Sequence, residues 1–506
     1  MAHSRNRLTV VATLGVTLLL FFIGTGQAAA IQTKNVAVSK VGTASAVLVV
    51  KSDVTADVVV DYGTAPVTYT TTKTGNGAVR HEITLDGLLP ATTVYYRVTL
   101  SETGNPGNSS VLSEKSFKTA VAAGAPFSYS VIGDNRPGSN TVTQPTVFGT
   151  IIGQMAAENL NLALHVGDII YGVSTDSLSQ NVAKYDGFST VTKQLTDTVP
   201  LYVAAGNHER INYSNSRAGF EQEFTMPVNN GADAATYGEE YYSFDNGDTH
   251  FIMLCTEIPG QEGLITGNQK QWLLQDLAAT SKTWIVVSFH RPIFSGLHTT
   301  DPWVDTANTA GQQNKADLHS LFRDYGVDVV FTGHDHLYLH HLEDGVHYVT
   351  TGGGGSPLYG APSLGSGDIY VAATYNHVKV DETSTQLTVR AINSSGSTLE
   401  TFTVTPAEPD LSLALSDVYW ASYTDYLDDK LSVDYSLTNN GNGDAANIQL
   451  VYLAASSGVL PLTSVPAPVG RLGNGRTTSI TVSYRVSTTV SGFAGTAYAT
   501  WVNESG

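Results

Sequence analysis

At 506 residues the chain is too long for one core and divides into roughly two to four domains of ordinary size. Its formal net charge of −19, with only 14% charged residues, offers no basic stripe to displace counterions, which argues against a nucleic acid as the main partner. A small phosphate ester is not excluded, because a metal site reverses the local field.

Residues 1–30 read as a signal peptide. Arg5 and Arg7 form a basic start, Leu8 to Ile23 is largely apolar, and Gln27 to Ala30 offers small residues for cleavage. The expectation is a secreted or periplasmic protein, by bacterial export, with no transmembrane segment once the leader is removed. Cys255 is the only cysteine, so no intrachain disulfide is available, which suits a bacterial envelope or secreted protein. From Ile31 to Ala122 short strand-like runs such as Ala46 to Val50, Asp57 to Tyr62 and Val94 to Leu100 alternate with Gly, Asn and Pro. That spacing predicts a β-sandwich over 31–122. The segment Leu85 to Thr92 followed by Tyr95 to Val98 resembles a fibronectin type III domain, with Val94 where that family usually has its corner tyrosine.

After Pro126 the regime changes. Strand Phe127 to Ile132, a helical stretch Val147 to Asn159 and strand Leu162 to Val166 follow in order. Helix Asn268 to Ala279 precedes strand Trp284 to Phe289, and helix Lys315 to Tyr325 precedes strand Val327 to Phe331. Such alternation predicts an α/β domain over 126–404 with a largely buried sheet. Thr405 to Asp410 is a proline-stiffened linker. Residues 411–506 read as a further, immunoglobulin-like β-sandwich of open role, a surface for an envelope or extracellular partner. The expected fold is therefore multidomain.

Five strand ends in the middle domain carry metal-type ligands: Gly133-Asp134, Gly167-Asp168-Ile169-Ile170-Tyr171, Gly206-Asn207-His208-Glu209, Phe289-His290 and Gly333-His334-Asp335-His336. Each follows an apolar run, so the ligands converge on one sheet rim, where open α/β sheets place their chemistry. A carboxylate has two oxygens, so Asp168 is suited to bridge two cations.

The order of these motifs resembles the metallophosphoesterase superfamily, and more specifically the purple acid phosphatases with their amino-terminal fibronectin-like domain. Where the superfamily's first motif commonly has Asp-x-His, this chain has Arg136, and Tyr171 matches the missing ligand. The resemblance implies that Asp134, Asp168, Tyr171 and His336 hold Fe(III). It further implies that Asp168, Asn207, His290 and His334 hold zinc, manganese or Fe(II). A hard trivalent ion suits carboxylates and a phenolate, and two imidazoles suit the softer ion. Two such ions lower the pKa of water and clamp phosphoryl oxygens, so the implied reaction is attack of a metal-bound hydroxide on a phosphate monoester.

By the same resemblance His208 is a catalytic residue that stabilises the transition state or protonates the leaving oxygen. His298 is a candidate for phosphate contact and catalysis, and Asn207, His208, His298 and Arg136 are the expected substrate-binding set. Arg136 and Arg291 each read either as a phosphate contact or as a salt-bridge residue. Gly352 to Gly355 reads as a phosphate cradle or as a turn that lets the backbone pass close to the site. Glu209 is expected to orient a ligand imidazole, and His165 to be structural. Two other functions fit the same sequence: a phosphodiesterase or nucleotide hydrolase with the same metals, and an envelope adhesion protein whose phosphatase-like domain is inactive.

Overall fold

The structure is a computed structural model that describes residues 30–211, 213–406, 409–441, 443, 445–473, 475–487, 490, 492 and 494–503. The expected signal peptide lies outside the described residues, apart from Ala30. Among the described residues no helix is long and apolar enough to cross a membrane.

Six antiparallel strands come first: β1 (Thr33–Ser39), β2 (Ser45–Gly63), β3 (Thr71–Asp86), β4 (Thr93–Glu102), β5 (Asn105–Val111) and β6 (Lys115–Lys118). Alternation along β4 and the second half of β2, with an apolar run in its first half, buries Leu48, Val50, Val58, Val60, Val94 and Val98 in one core. Hydrogen bonding runs through all six strands, so the two halves that the sequence predicts as packed sheets are joined at a shared strand. The 19-residue β2 is the cause. Its first half pairs with β1, its second half with β4, and β3 follows it along both, with register shifts between Lys51 and Val58.

The middle of the chain builds two sheets. One has the order β19-β18-β17-β7-β8-β9, from β7 (Phe127–Ile132), β8 (Leu162–His165), β9 (Leu201–Val203), β17 (Asn376–Thr383), β18 (Gln386–Asn393) and β19 (Thr398–Val404). The other has the order β10-β11-β12-β13-β15-β14-β16. Its strands are β10 (Tyr242–Asn246), β11 (Thr249–Met253), β12 (Trp284–Ser288), β13 (Val329–Thr332), β14 (Tyr338–Glu343), β15 (Val346–Thr351) and β16 (Asp368–Ala372). β7, β8 and β9 run parallel, as do β11, β12, β13 and β15. Strands covered on both faces need unbroken apolar runs, and every residue of β8, β11, β12 and β13 is buried. The Tyr129 ring on β7 meets Phe251 on β11 edge-on at 5.1 Å, joining the two sheets in one core.

Helices Thr146–Ala156, Leu178–Thr196, Gly267–Ala279 and Thr309–Asp324 make the crossovers. The last starts six residues earlier than Lys315, because the Asn308 side chain caps it by accepting from Gly311 N at 2.9 Å. Two helices, Leu178–Thr196 and Tyr213–Glu223, have no counterpart in the predicted elements. They carry the first sheet. Lys51 Nζ bridges Asp186 Oδ1 (2.5 Å) and Glu223 Oε2 (2.9 Å), Tyr96 donates its hydroxyl to Asp197 O (2.5 Å), and Val41 N donates to the Tyr202 hydroxyl (3.1 Å).

The end of the chain forms two antiparallel sheets. One has the order β20-β21-β25-β23 and the other β24-β22-β26. The first comprises β20 (Leu411–Tyr419), β21 (Lys430–Asn439), β23 (Val459–Pro461) and β25 (Thr477–Val486), and the second β22 (Ala445–Ala455), β24 (Ala467–Leu472) and β26 (Gly495–Asn503). Cys255 is buried and unpaired, and burial pushes its thiol pKa up, consistent with an inert core thiol.

Two stability effects follow from buried ion pairs. Lys51→Met strands Glu223, whose side chain is 2% exposed, without its cation. It should lower the unfolding free energy by about 3 kcal/mol in chemical denaturation, and the added change Glu223→Gln should recover part of that loss. His250 lies between Asp245 Oδ1 (2.7 Å) and Asp276 Oδ2 (3.0 Å); burial alone would lower its pKa, but the two carboxylates raise it from 6.5 to about 9. Its charged form therefore stabilises the fold fully below pH 6.5 and ceases to do so as the pH rises through 9. Denaturation of His250→Gln against the parent should show a gap that is widest below pH 6.5 and narrows toward pH 9.

Candidate metal centre

Each strand that ends at the shared rim hands over one loop: Asp134 after β7, Asp168 and Tyr171 after β8, Asn207 and His208 after β9, His290 after β12, and His334 and His336 after β13. The parallel pairing of β7, β8 and β9, and of β12 with β13, brings these loops together. Asp134, Asp168 and His334 each follow a glycine and each take a left-handed backbone, with φ of 54°, 57° and 67°. That conformation is costly for residues with a Cβ and persists only where the surroundings impose it. A Cβ on Gly333 would lie 2.2 Å from Asp134 Oδ2, so the loops close only over a glycine there. His334 N in turn donates to both oxygens of Asp134, at 3.0 and 2.9 Å.

Donor atoms of Asp134, Asp168 and His290 lie within 4.8 Å of one another, and all three residues are buried. Around His290 Nε2 stand Asn207 Oδ1 at 2.9 Å, His334 Nδ1 at 3.2 Å and Asp168 Oδ1 at 3.3 Å. His336 Nε2 is 3.5 Å from Asp134 Oδ1. Two far nitrogens are engaged elsewhere, His290 Nδ1 with Val166 O (2.9 Å) and His336 Nδ1 with Pro357 O (2.7 Å); His334 Nε2 faces Asp301 Oδ2 at 3.0 Å without the geometry of a hydrogen bond. On His290 and His336 a proton held on the outer nitrogen leaves the inner one a lone pair, the arrangement that ligating imidazoles take. The inward lone pair of His290, with His334 Nδ1 at 3.2 Å and a carboxylate and an amide oxygen beside it, suits a cation. The donor set suits a bound metal.

Electrostatics separate the two acids. Burial and the neighbouring Asp168 charge push Asp134 well above the usual carboxylate range. Burial opposes the charge on Asp168 too, but His290, His208 and the Arg136 guanidinium, whose Nε is 3.0 Å from Asp168 Oδ2, hold it far below that range. Burial depresses His290 to about 3 and His336 to about 4, so both rings are neutral at ordinary pH.

The remaining candidates line the rim. The half-buried His208 packs its ring 5.0 Å from Tyr171, and its backbone N–H donates to Asp168 Oδ1 (3.1 Å). The Arg136 guanidinium lies 5.3 Å over the Tyr171 ring. His298 lies against His334, ring centres 4.0 Å apart, with Nε2 3.5 Å from Asp335 Oδ1. Arg291 is held by both oxygens of Glu257 and by Asp301 Oδ1 (2.7 Å), so it is a salt-bridge residue. Gly352 N and Gly354 N are spent on Leu337 O and Gly133 O, which makes that glycine run a close backbone passage. Glu209 meets backbone amides where an imidazole was expected. His165 is buried, its Nε2 2.7 Å from Asn135 Oδ1, in a structural place. Sequence reasoning missed Asp301, three residues after His298, and Tyr359, which stacks flat on His336 at 4.2 Å. Their loops show no periodicity that would have marked them.

Residues 131–338 match the family model for calcineurin-like phosphoesterase. The chain is 28% identical over 285 residues to purple acid phosphatase 15 of Arabidopsis thaliana, covering 51% of this chain and 48% of that protein. It is 31% identical over 189 residues to acid phosphatase type 7 of Homo sapiens, covering 35% and 39%. The chain spans about half the length of the curated relatives it matches. Among solved structures, purple acid phosphatase PPD1 from yellow lupin superposes with a TM-score of 0.59 at 18% identity, over 73% of this chain and 74% of that one. PhoD superposes with a TM-score of 0.55 at 15% identity, over 74% and 89%. These two likenesses concern the fold. The chain carries a calcineurin-like phosphoesterase domain and has relatives among the purple acid phosphatases.

Proposed function

We propose that this centre holds two metal ions and that the chain is a metal-dependent phosphoester hydrolase acting on phosphate monoesters. The observation that carries the reading is the convergence of Asp168 Oδ1, Asn207 Oδ1 and His334 Nδ1 on His290 Nε2, whose outer nitrogen is already engaged by Val166 O. In this reading Asp134, Asp168, Tyr171 and His336 hold ferric iron, and Asp168, Asn207, His290 and His334 hold zinc, manganese or ferrous iron, with Asp168 shared. The wider reading takes residues 31–122 as a fibronectin type III-like module, 126–404 as the catalytic domain and 411–506 as an immunoglobulin-like sandwich facing an envelope or extracellular partner. Export to the periplasm or medium belongs to the same reading and rests on the leader pattern of residues 1–30.

Two ions bound there would acidify water and neutralise charge on the phosphoryl oxygens. The protein's own groups do the rest. Arg136 and the His208 amide keep Asp168 ionised and oriented. As a hydroxide oxygen bonds to phosphorus and the ester P–O bond breaks, protonated His208 would give its proton to the departing alcohol oxygen and become neutral. Burial lowers the His208 pKa, so the role strengthens toward acid pH. His298 stands across the rim against His334, placed to hold a phosphoryl oxygen.

His208→Ala should cost about 10²–10⁴-fold in kcat for an alkyl phosphate. The loss should be smaller for an aryl phosphate, whose leaving oxygen needs no proton; equal losses would remove His208 from that role. Rates on an aryl monoester and its diester, measured side by side, test the substrate class, and a faster diester would replace it. Metal analysis should find about two ions per chain, together with a visible charge-transfer band that Tyr171→Phe abolishes. A colourless, fully active protein would count against ferric iron.

A further inference from the structure

One fully buried carboxylate at the centre belongs to neither ligand set. Glu209 is 0% exposed and lies in the short helix Asn207–Arg210, two residues after Asn207. Its Oε2 accepts from Asp168 N and Gly206 N, both at 2.8 Å, and its Oε1 from Ile169 N at 2.8 Å and Ile170 N at 3.0 Å. A carboxylate only accepts and has about four lone-pair positions, so four amides fill it. Burial and the neighbouring Asp168 charge raise the Glu209 pKa to about 7, and the amides, which favour the ionised form, oppose that shift.

The four amides come from two loops. Three belong to the segment after β8 that carries Asp168 and Tyr171, and one to the segment after β9 that carries Asn207. The first segment is the strained one, with Gly167 at φ 95° and Asp168 at φ 57°. The contact between segments is as close as backbone allows, since a Cβ on Gly206 would stand 2.4 Å from Asp168 N. Strain of this kind persists only where neighbouring groups over-determine it, and Glu209 supplies that over-determination from a single atom group.

We propose that Glu209 is a positioning residue of the centre: its carboxylate fastens the loop of Asp168 and Tyr171 to the loop of Asn207 and so sets the spacing between ligands from two strands. The inference rests on the metal-ion reading above. Gln is nearly isosteric with Glu but turns two acceptor positions into a donor group, which meets backbone N–H groups head on. Asp keeps the charge and withdraws it by one methylene. Glu382 serves as the control, because it is also buried and accepts from the Thr249 hydroxyl, yet pairs with Phe127, at the end of β7 away from Asp134.

The experiment compares full-length parent, Glu209→Gln, Glu209→Asp and Glu382→Gln by amide hydrogen exchange and by the chelator concentration that strips half the bound metal. Glu209→Gln should lose exchange protection at residues 168–170 and 206 and bind metal about 10–100-fold more weakly, while Glu382→Gln keeps both. Glu209→Asp should fall between, and it carries the test if the Gln variant does not fold. Metal retention in either Glu209 variant equal to the parent overturns the proposal and leaves the metal-ion reading standing. Equal loss in Glu382→Gln also overturns it, as a general effect of buried carboxylates. A parent protein that binds no metal overturns the metal-ion reading and this proposal together.

Discussion

Two carboxylates buried side by side cannot both carry charge at low cost, and the centre is arranged around that constraint. Asp134 is 0% and Asp168 1% exposed, and the charge of one raises the pKa of the other. At ordinary pH, with the buried imidazoles neutral, Arg136 settles the charge on Asp168, while Asp134 is left to hold a proton or meet a cation. A single guanidinium cannot serve both acids. The residual demand for positive charge is the physical reason for reading this rim as a metal centre, independent of any likeness to other proteins.

The scaffold meets that demand by parallel pairing. Parallel strands end in the same direction, so β7, β8 and β9 of one sheet and β12 and β13 of the other open their loops on one side. Precision then comes from backbone acceptors and buried acids. Val166 O and Pro357 O orient two imidazoles, Asp301 stands behind a third, and Glu257 with Arg291 holds Asp301 in place. Beneath the rim, the first sheet stands on helices Leu178–Thr196 and Tyr213–Glu223, the latter leading on from the loop of Asn207.

Much of this was legible because buried parallel strands must be apolar throughout. Val286, Val287 and Phe289, like Leu162, Leu164 and Val166, announce strands before any ligand is considered. Helices with polar inner faces were not legible in that way. Leu178–Thr196 buries Asn181, Lys184, Ser189 and Thr192 among Tyr185, Phe188 and Leu195, so its apolar stripe is too interrupted to detect. The capping box of Ser177 and Gln180 was its one readable signal. The pairing that joins all six strands at the start of the chain was hidden for another reason: alternation reports which face is buried and says nothing about which edge is paired. At the rim, glycine-led motifs placed the candidate ligands, but the partners of His334 and His336 come from loops whose positions only the fold decides.

The left-handed backbone of Asp134, Asp168 and His334 sets durability against chemistry at the same three positions. Glycine would relax each of them, and asparagine tolerates that conformation better than most side chains. Each such exchange would remove a charged or imidazole donor while easing the fold. Selection for robustness alone would thus drift this chain toward a sturdier molecule with an emptied centre, a trade between stability and activity written into the backbone itself.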